Sequence, residues 1–255
     1  MNEIIQSLSE LQEQNQAAVL CIITESIGST PRKAGSKMLV FPDGSIKGTV
    51  GGGSIEHAVI EEALKLMHSH QVKTCKYELD NDLGMQCGGH TNIYFEAINS
   101  APRLIIFGAG HIGKTLSEMA IPFGFEVILV DNREGMLGEK WGKARLISND
   151  FAQACQEMEF RSDDFVIVTT YKHLYDEEIV AQVLSQPHAY LGMIASKRKA
   201  ALAREKWAEL GFAQKDIDKV YAPVGLNIQC ETPREIALSI MAQIIDELNK
   251  MRKAE

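Results

Sequence analysis

The chain has 255 residues, enough for one large domain or two small ones. Its 45% apolar content is that of an ordinary globular protein, and no apolar run approaches the length of a membrane span. A net charge of −8, with no basic cluster beyond Lys197-Arg198-Lys199, argues against a nucleic-acid partner; the cysteines Cys21, Cys75, Cys87, Cys155 and Cys230, odd in number and without a C-x-x-C pair, argue against a disulfide framework or a zinc ribbon.

The first residues, MNEIIQSLSELQEQ, are acidic and amphipathic. They resemble neither a signal nor a transit peptide, so a cytoplasmic protein is expected. Ile4, Ile5, Leu8 and Leu11 recur at helical spacing, which predicts a helix over 3–14. Residues 17–24 (AAVLCIIT) form a short continuous apolar run, the pattern of a buried strand, and 25–36 is a loop with adjacent cations Arg32 and Lys33. Residues 37–41 and 45–50 form a predicted hairpin around Pro42-Asp43-Gly44.

The hairpin runs into Gly51, Gly52, Gly53 and Ser54, then a predicted helix with Ile55, Val59, Ala63, Leu66 and Met67 on one face. Consecutive glycines before a helix expose several backbone N–H groups, and Ser54 stands where an N-cap would be. This is either a second anion site or a tight turn in which glycine relieves crowding. Glu56 would complement the helix dipole in the first turn; a catalytic or ligand role is the alternative. A strand over 74–79 follows, then the loop Gly84-Met85-Gln86-Cys87-Gly88-Gly89-His90 and an alternating strand over 92–97. Glycine-flanked Cys87 is either a reactive thiol on an exposed loop or an inert filler. His90 is expected as a hydrogen-bonded loop histidine. No second ligand lies at metal-site spacing, so no metal site is expected.

Asn99-Ser100-Ala101-Pro102 is the best linker, dividing the chain into domains 1–100 and 101–255. Residues 104–131, LIIFGAGHIGKTLSEMAIPFGFEVILVD, then carry the dinucleotide-binding fingerprint in its setting of strand, glycine turn, helix, strand and acid. Gly108 would allow the tight turn, Gly110 would let the backbone approach a pyrophosphate, and Gly113 would let the helix pack close to the strand. His111 opens that helix. Asp131, at the end of the second strand, could accept hydrogen bonds from a ribose diol and favour NAD, a preference that Arg133 weakens. Beyond lies a βα rhythm with strands over 144–147, 164–169 and 189–195 and helices over 149–158, 176–186 and 197–210. Tyr171, Lys172 and His173 follow one strand's carboxyl end, and Ser196 and Lys197 follow another's. His173 and Lys197 are therefore proton-transfer candidates. A short strand over 220–222 precedes Thr232-Pro233-Arg234-Glu235, a capping box that starts an apolar C-terminal helix. That helix could pack on the first domain or on a second copy of the chain. The fold class is α/β: a C-terminal Rossmann-like doubly wound parallel sheet with an N-terminal α+β domain.

GSTPRKAGSKMLV at 28–40, GTVGGGSIE at 48–56, CGG at 87–89, FGAGHIG at 107–113, YLGMIASKRK at 190–199 and APVGLNIQCETPREIA at 222–237 together resemble one family. It is the XdhC/CoxI maturation factors of molybdenum hydroxylases. The resemblance implies an accessory protein rather than a catalyst, one that binds the molybdenum cofactor, supports its sulfuration and helps deliver it to xanthine dehydrogenase or a relative. The cofactor would be molybdopterin, as a phosphate or as a dinucleotide. A cysteine desulfurase is a further partner in that setting. One departure is Ser54, where the family commonly has cysteine, so a thiol role there does not carry over. Cys87 becomes the candidate soft ligand or sulfur relay. The second function in view is an NAD-dependent oxidoreductase.

Overall fold

The structure, a computed structural model, describes residues 2–67, 72–78, 89–98, 101–135, 141–171 and 175–254. Cys87, His173, Lys172 and the linker residues Asn99 and Ser100 lie outside the described residues. The chain divides into two units, Met1–Ser100 with Arg252–Glu255, and Ala101–Met251.

The first unit is an antiparallel sheet with a helix on each face. Its strands are β1 (Ala18–Ile27), β2 (Lys37–Val40), β3 (Ile46–Gly48), β4 (Val72–Glu78) and β5 (His90–Ile98). They are ordered β3-β2-β1-β5-β4. Side chains alternate across a strand, and β1 is central, so both its faces are covered. Val19, Cys21 and Ile23 pack with Ile55, Val59 and Ala63 of α2 (Gly53–Leu66). Ala18 and Leu20 pack with Ile4 and Leu11 of α1 (Asn2–Glu13). That double burial is why the run reads as continuously apolar. The strand continues three residues beyond the apolar run, past an irregularity between Ile23 and Glu25, because Glu25, Ser26 and Ile27 pair with Asn92, Thr91 and His90. The loop therefore begins at Gly28, not at residue 25. For the same reason His90 opens a strand and is not a loop residue.

The second unit is a parallel sheet in the order β10-β9-β6-β7-β8, formed by β6 (Arg103–Phe107), β7 (Glu126–Asp131), β8 (Arg145–Ser148), β9 (Phe165–Val168) and β10 (Tyr190–Met193). This is the doubly wound Rossmann arrangement, whose order reverses between β6 and β9. Ile105, Phe107, Val130 and Val168 face α4 (Phe151–Glu157), α5 (Asp176–Leu184) and α6 (Lys197–Glu209). Leu104, Ile106, Leu129 and Ile167 face α3 (His111–Ala120) and the C-terminal helix. The predicted strand over 220–222 is only a bridge, from Tyr221 to Gly192. A four-residue helix, α7 (Gln214–Ile217), precedes it.

The C-terminal helix, α8 (Pro233–Ala254), covers this unit's own sheet. Its Ala237, Ile240, Met241 and Ile244 are fully buried there, and Tyr190 donates to Gln243 Oε1 at 2.6 Å. The sequence left this helix able to pack on the first domain or on a second copy; its buried stripe packs on the sheet of its own unit. The sheet needs a helix on this face beside α3, and α8 supplies it. Its start is the expected capping box: Thr232 Oγ1 accepts from the Glu235 N–H, and Glu235 Oε2 accepts from the N–H groups of Glu231 and Thr232. No described helix is long and apolar enough to cross a membrane.

Candidate functional site

Open α/β sheets bind ligands outside the carboxyl ends of their strands, where the strand order reverses. In this chain that point lies between Phe107 of β6 and Val168 of β9. Gly108 leaves β6 in a left-handed conformation, φ +111°, and donates to the Val130 carbonyl at 2.8 Å. A Cβ on it would lie 2.2 Å from the Thr169 carbonyl oxygen, and one on Gly113 2.0 Å from that of Gly108. Both glycines are demanded by the chain's own packing. Gly110 is different. Its φ is −77°, open to any residue, and a Cβ there meets nothing within 4 Å. Neither conformation nor packing asks for glycine at 110, and it faces open space at the start of a helix.

That helix start carries no stopper of its own. α3 has no side-chain cap and no acidic residue in its first turn, and its first internal bond runs from Lys114 to the Gly110 carbonyl. The N–H groups of His111, Ile112 and Gly113 are the orphan donors of a helix start. α4, α6 and α8 are capped by Asp150, Ser196 and Thr232, whereas α2, α5 and α7 share with α3 the lack of a side-chain cap. His111 is exposed at the first position of α3.

Asp131 ends β7 beside this turn and is fully buried. Its Oδ2 accepts from the Ala109 N–H at 2.8 Å and from Arg133 Nη2 at 2.8 Å. Its Oδ1 accepts from the Arg133 N–H at 3.1 Å and from Arg133 Nε at 2.8 Å. Burial alone would raise its pKa; the bonds from Arg133 and Ala109 outweigh burial and hold it below the ordinary carboxylate value. The Arg133 guanidinium also lies over the Tyr171 ring, 4.8 Å from its centroid. Next door, Asn132 Oδ1 is buried with no hydrogen-bond partner among the described residues. Thr170 donates through its N–H and its hydroxyl to Asp176 Oδ1, which fixes the chain after β9.

The structure thus brings Gly108, Gly110, His111, Gly113 and Asp131 together. Lys197 opens α6, exposed, at the end of β10. It lies two strands from β6, about 10 Å by sheet spacing. Ala109 is added by three-dimensional contact. Arg133 and Tyr171 were in view from the sequence, but the fork of Arg133 on Asp131 and its place over the Tyr171 ring were not.

The triple-glycine turn lies in the first unit. Gly51, Gly52 and Gly53 all have positive φ, 147°, 76° and 61°. The N-cap position of α2 is Gly52, which offers no side-chain cap, and Ser54 is the helix's exposed second residue, not the N-cap expected from sequence. The left-handed glycines start the helix earlier. Glu56 turns back on the turn: its Oε1 accepts from the Thr49 hydroxyl and from the Val50 N–H. Burial would raise its pKa; hydrogen bonds from Thr49 and from the backbone of Gly52, Gly51 and Val50 overcome that and lower it. An outside anion at this turn would compete with the Glu56 carboxylate. Among the other thiols, burial pushes Cys21 and Cys155 up to about 12, so neither supplies thiolate at neutral pH. Among the described residues no group of histidine, cysteine and carboxylate side chains could hold a metal ion.

A family model described as the XdhC Rossmann domain matches residues 104–244, and one described as the XdhC and CoxI family matches residues 11–78. Over 96% of its length the chain is 34% identical to the uncharacterized protein YqeB of Escherichia coli K12, and the match covers 46% of that relative, so the chain spans about half of it. It is 26% identical to a probable xanthine dehydrogenase subunit of Bacillus subtilis, with 93% of this chain and 95% of that one covered. It is 23% identical to the molybdenum cofactor insertion chaperone PaoD of Escherichia coli K12, with 94% and 86% covered.

Proposed function

The chain belongs to the XdhC and CoxI family, and from that premise we propose that it is an accessory protein in the maturation of a molybdenum hydroxylase such as xanthine dehydrogenase. It binds the molybdenum cofactor, supports its sulfuration and delivers it to the recipient enzyme. Two relatives bear names of this kind, a molybdenum cofactor insertion chaperone and a probable xanthine dehydrogenase subunit.

Gly110 is the observation that carries the binding half of the proposal. Molybdopterin ends in a phosphate, or a pyrophosphate in its dinucleotide form. The uncapped start of α3 offers orphan N–H donors and the positive end of a helix dipole, and Gly110 leaves room for the anion to reach them. Gly108 and Gly113 shape the turn, and His111 is placed to contact the ligand. The molybdenum is cargo, and its chemistry belongs to the recipient enzyme.

Cys87 is the proposed soft ligand or sulfur relay, fed by a cysteine desulfurase. Gly51, Gly52, Gly53 and Ser54 are proposed as a separate anion site of the first unit, at which Glu56 would have to give up its hydrogen bonds to the turn. In the competing function, an NAD-dependent oxidoreductase, His173 and Lys197 would be the proton-transfer groups. That function finds less support because Asp131 is already engaged.

The test is direct. Wild-type protein and Gly110→Val are titrated with molybdopterin by fluorescence. Gly110→Val should keep the wild-type melting temperature and lose binding; retained affinity would place the ligand elsewhere. Cys87→Ser should bind the cofactor more weakly if Cys87 is a soft ligand, and should fail to support sulfuration of the partner if it is a relay. Unchanged binding and sulfuration would remove Cys87 from the scheme.

A further inference from the structure

We infer that Asp131 and Arg133 close the ribose subsite of the Rossmann unit, so that this site takes a phosphate and refuses a ribose diol. In nicotinamide-binding folds an acid at this strand end receives the ribose hydroxyls. A carboxylate has about four acceptor directions. Here they are taken by the Ala109 N–H, the Arg133 N–H, and Nε and Nη2 of the same arginine, at 2.8–3.1 Å. The residue is fully buried, so no further edge of the carboxylate is left for a ligand.

Two of the four donors are backbone groups that the turn itself fixes. Only the Arg133 side chain could move aside, and the two-point fork on Asp131 and the Tyr171 ring both hold it. A diol would have to break the fork and leave a guanidinium beside it to be solvated again. The donor side of the site, at Gly110, has no such obstruction. The two halves of the fingerprint are therefore uncoupled: the anion half is open and the diol half is filled from within. Asp131 is a positioning residue that holds Ala109 in the glycine turn, and Arg133 is the specificity determinant.

This inference stands whether or not molybdopterin is the ligand, and its test uses NADH alone. The full-length wild type, Arg133→Ala and Arg133→Lys are titrated with NADH by fluorescence quenching or calorimetry, after melting curves establish that each is folded. Wild-type binding should be weak. Arg133→Ala should bind at least about tenfold more tightly, the factor that one charge-assisted hydrogen bond supplies. Arg133→Lys, with a point charge in place of the fork, should fall between them; it decides the matter alone if Arg133→Ala does not fold. Equal NADH affinity in wild type and variants, weak or tight, would overturn the inference. It would leave the Gly110→Val result with molybdopterin untouched.

Discussion

A Cβ on Gly113 would sit 2.0 Å from a backbone oxygen, whereas one on Gly110 would touch nothing. The same substitution therefore has opposite outcomes three residues apart. Gly113→Ala should destabilise the protein by about 1–3 kcal/mol, the usual penalty of overpacking, while Gly110→Ala should leave stability within about 0.5 kcal/mol. Chemical denaturation of the two variants measures both; equal losses would mean that Gly110 is also a packing glycine. Asp131 makes a second expectation at this scale. Its pKa is depressed in the folded state, so it adds stability that is full above the unfolded carboxylate value of about 3.9 and is lost as pH falls below that toward the folded value. Asp131→Asn should be less stable than wild type at neutral pH and should lose less on acidification. Parallel acid-unfolding curves would show that the carboxylate charge is not what holds the turn. The local roles of Gly108 and Gly113 were legible because each follows from a motif of adjacent residues. Asp131 was not, because its turn partner, Ala109, lies 22 residues earlier and is met only on folding.

Between elements, one buried ion pair ties the start of β6 to the turn before β9. Arg103 donates to both Asp164 oxygens, at 2.7 and 2.6 Å, and to the Glu159 carbonyl, and Asp164 also accepts from the Arg161 N–H. The pair lies at the amino end of the strands, away from the glycine turn. Asp164→Ala would strand a buried guanidinium and should cost about 3–5 kcal/mol, with ligand affinity unchanged in the protein that stays folded. A small loss by denaturant titration would contradict the buried-pair account. Periodicity revealed most of the elements because α1, α2, α3 and α8 each bury one stripe, and β1 and the parallel strands are covered on both faces. Local pattern could not reveal what pairing creates. The last residues of β1 are a strand only because β5 pairs with them, and the four residues of α7 are too few to show a period.

Each half of the molecule has its own sheet and its own core, and each carries a glycine turn at a helix start. In both turns a carboxylate accepts a backbone N–H, Glu56 from Val50 and Asp131 from Ala109, and neither helix start has a side-chain cap. What sets the second turn apart is Gly110, where neither φ nor packing demands glycine; the proposed anion site is put there for that reason, and membership of the XdhC and CoxI family gives it its proposed cargo. The fingerprint in the sequence located the candidate site; it could not reveal the Arg133 fork on Asp131, since a D-x-R spacing alone does not show one. The most direct test of the account is reconstitution. Cofactor-free xanthine dehydrogenase is mixed with molybdopterin-loaded chain, wild type or Gly110→Val, and hydroxylase activity is followed. Wild type should activate the enzyme and folded Gly110→Val should not. Equal activation by both, or an inert hydroxylase beside a wild-type chain that binds NADH tightly and transfers its hydride, would contradict it.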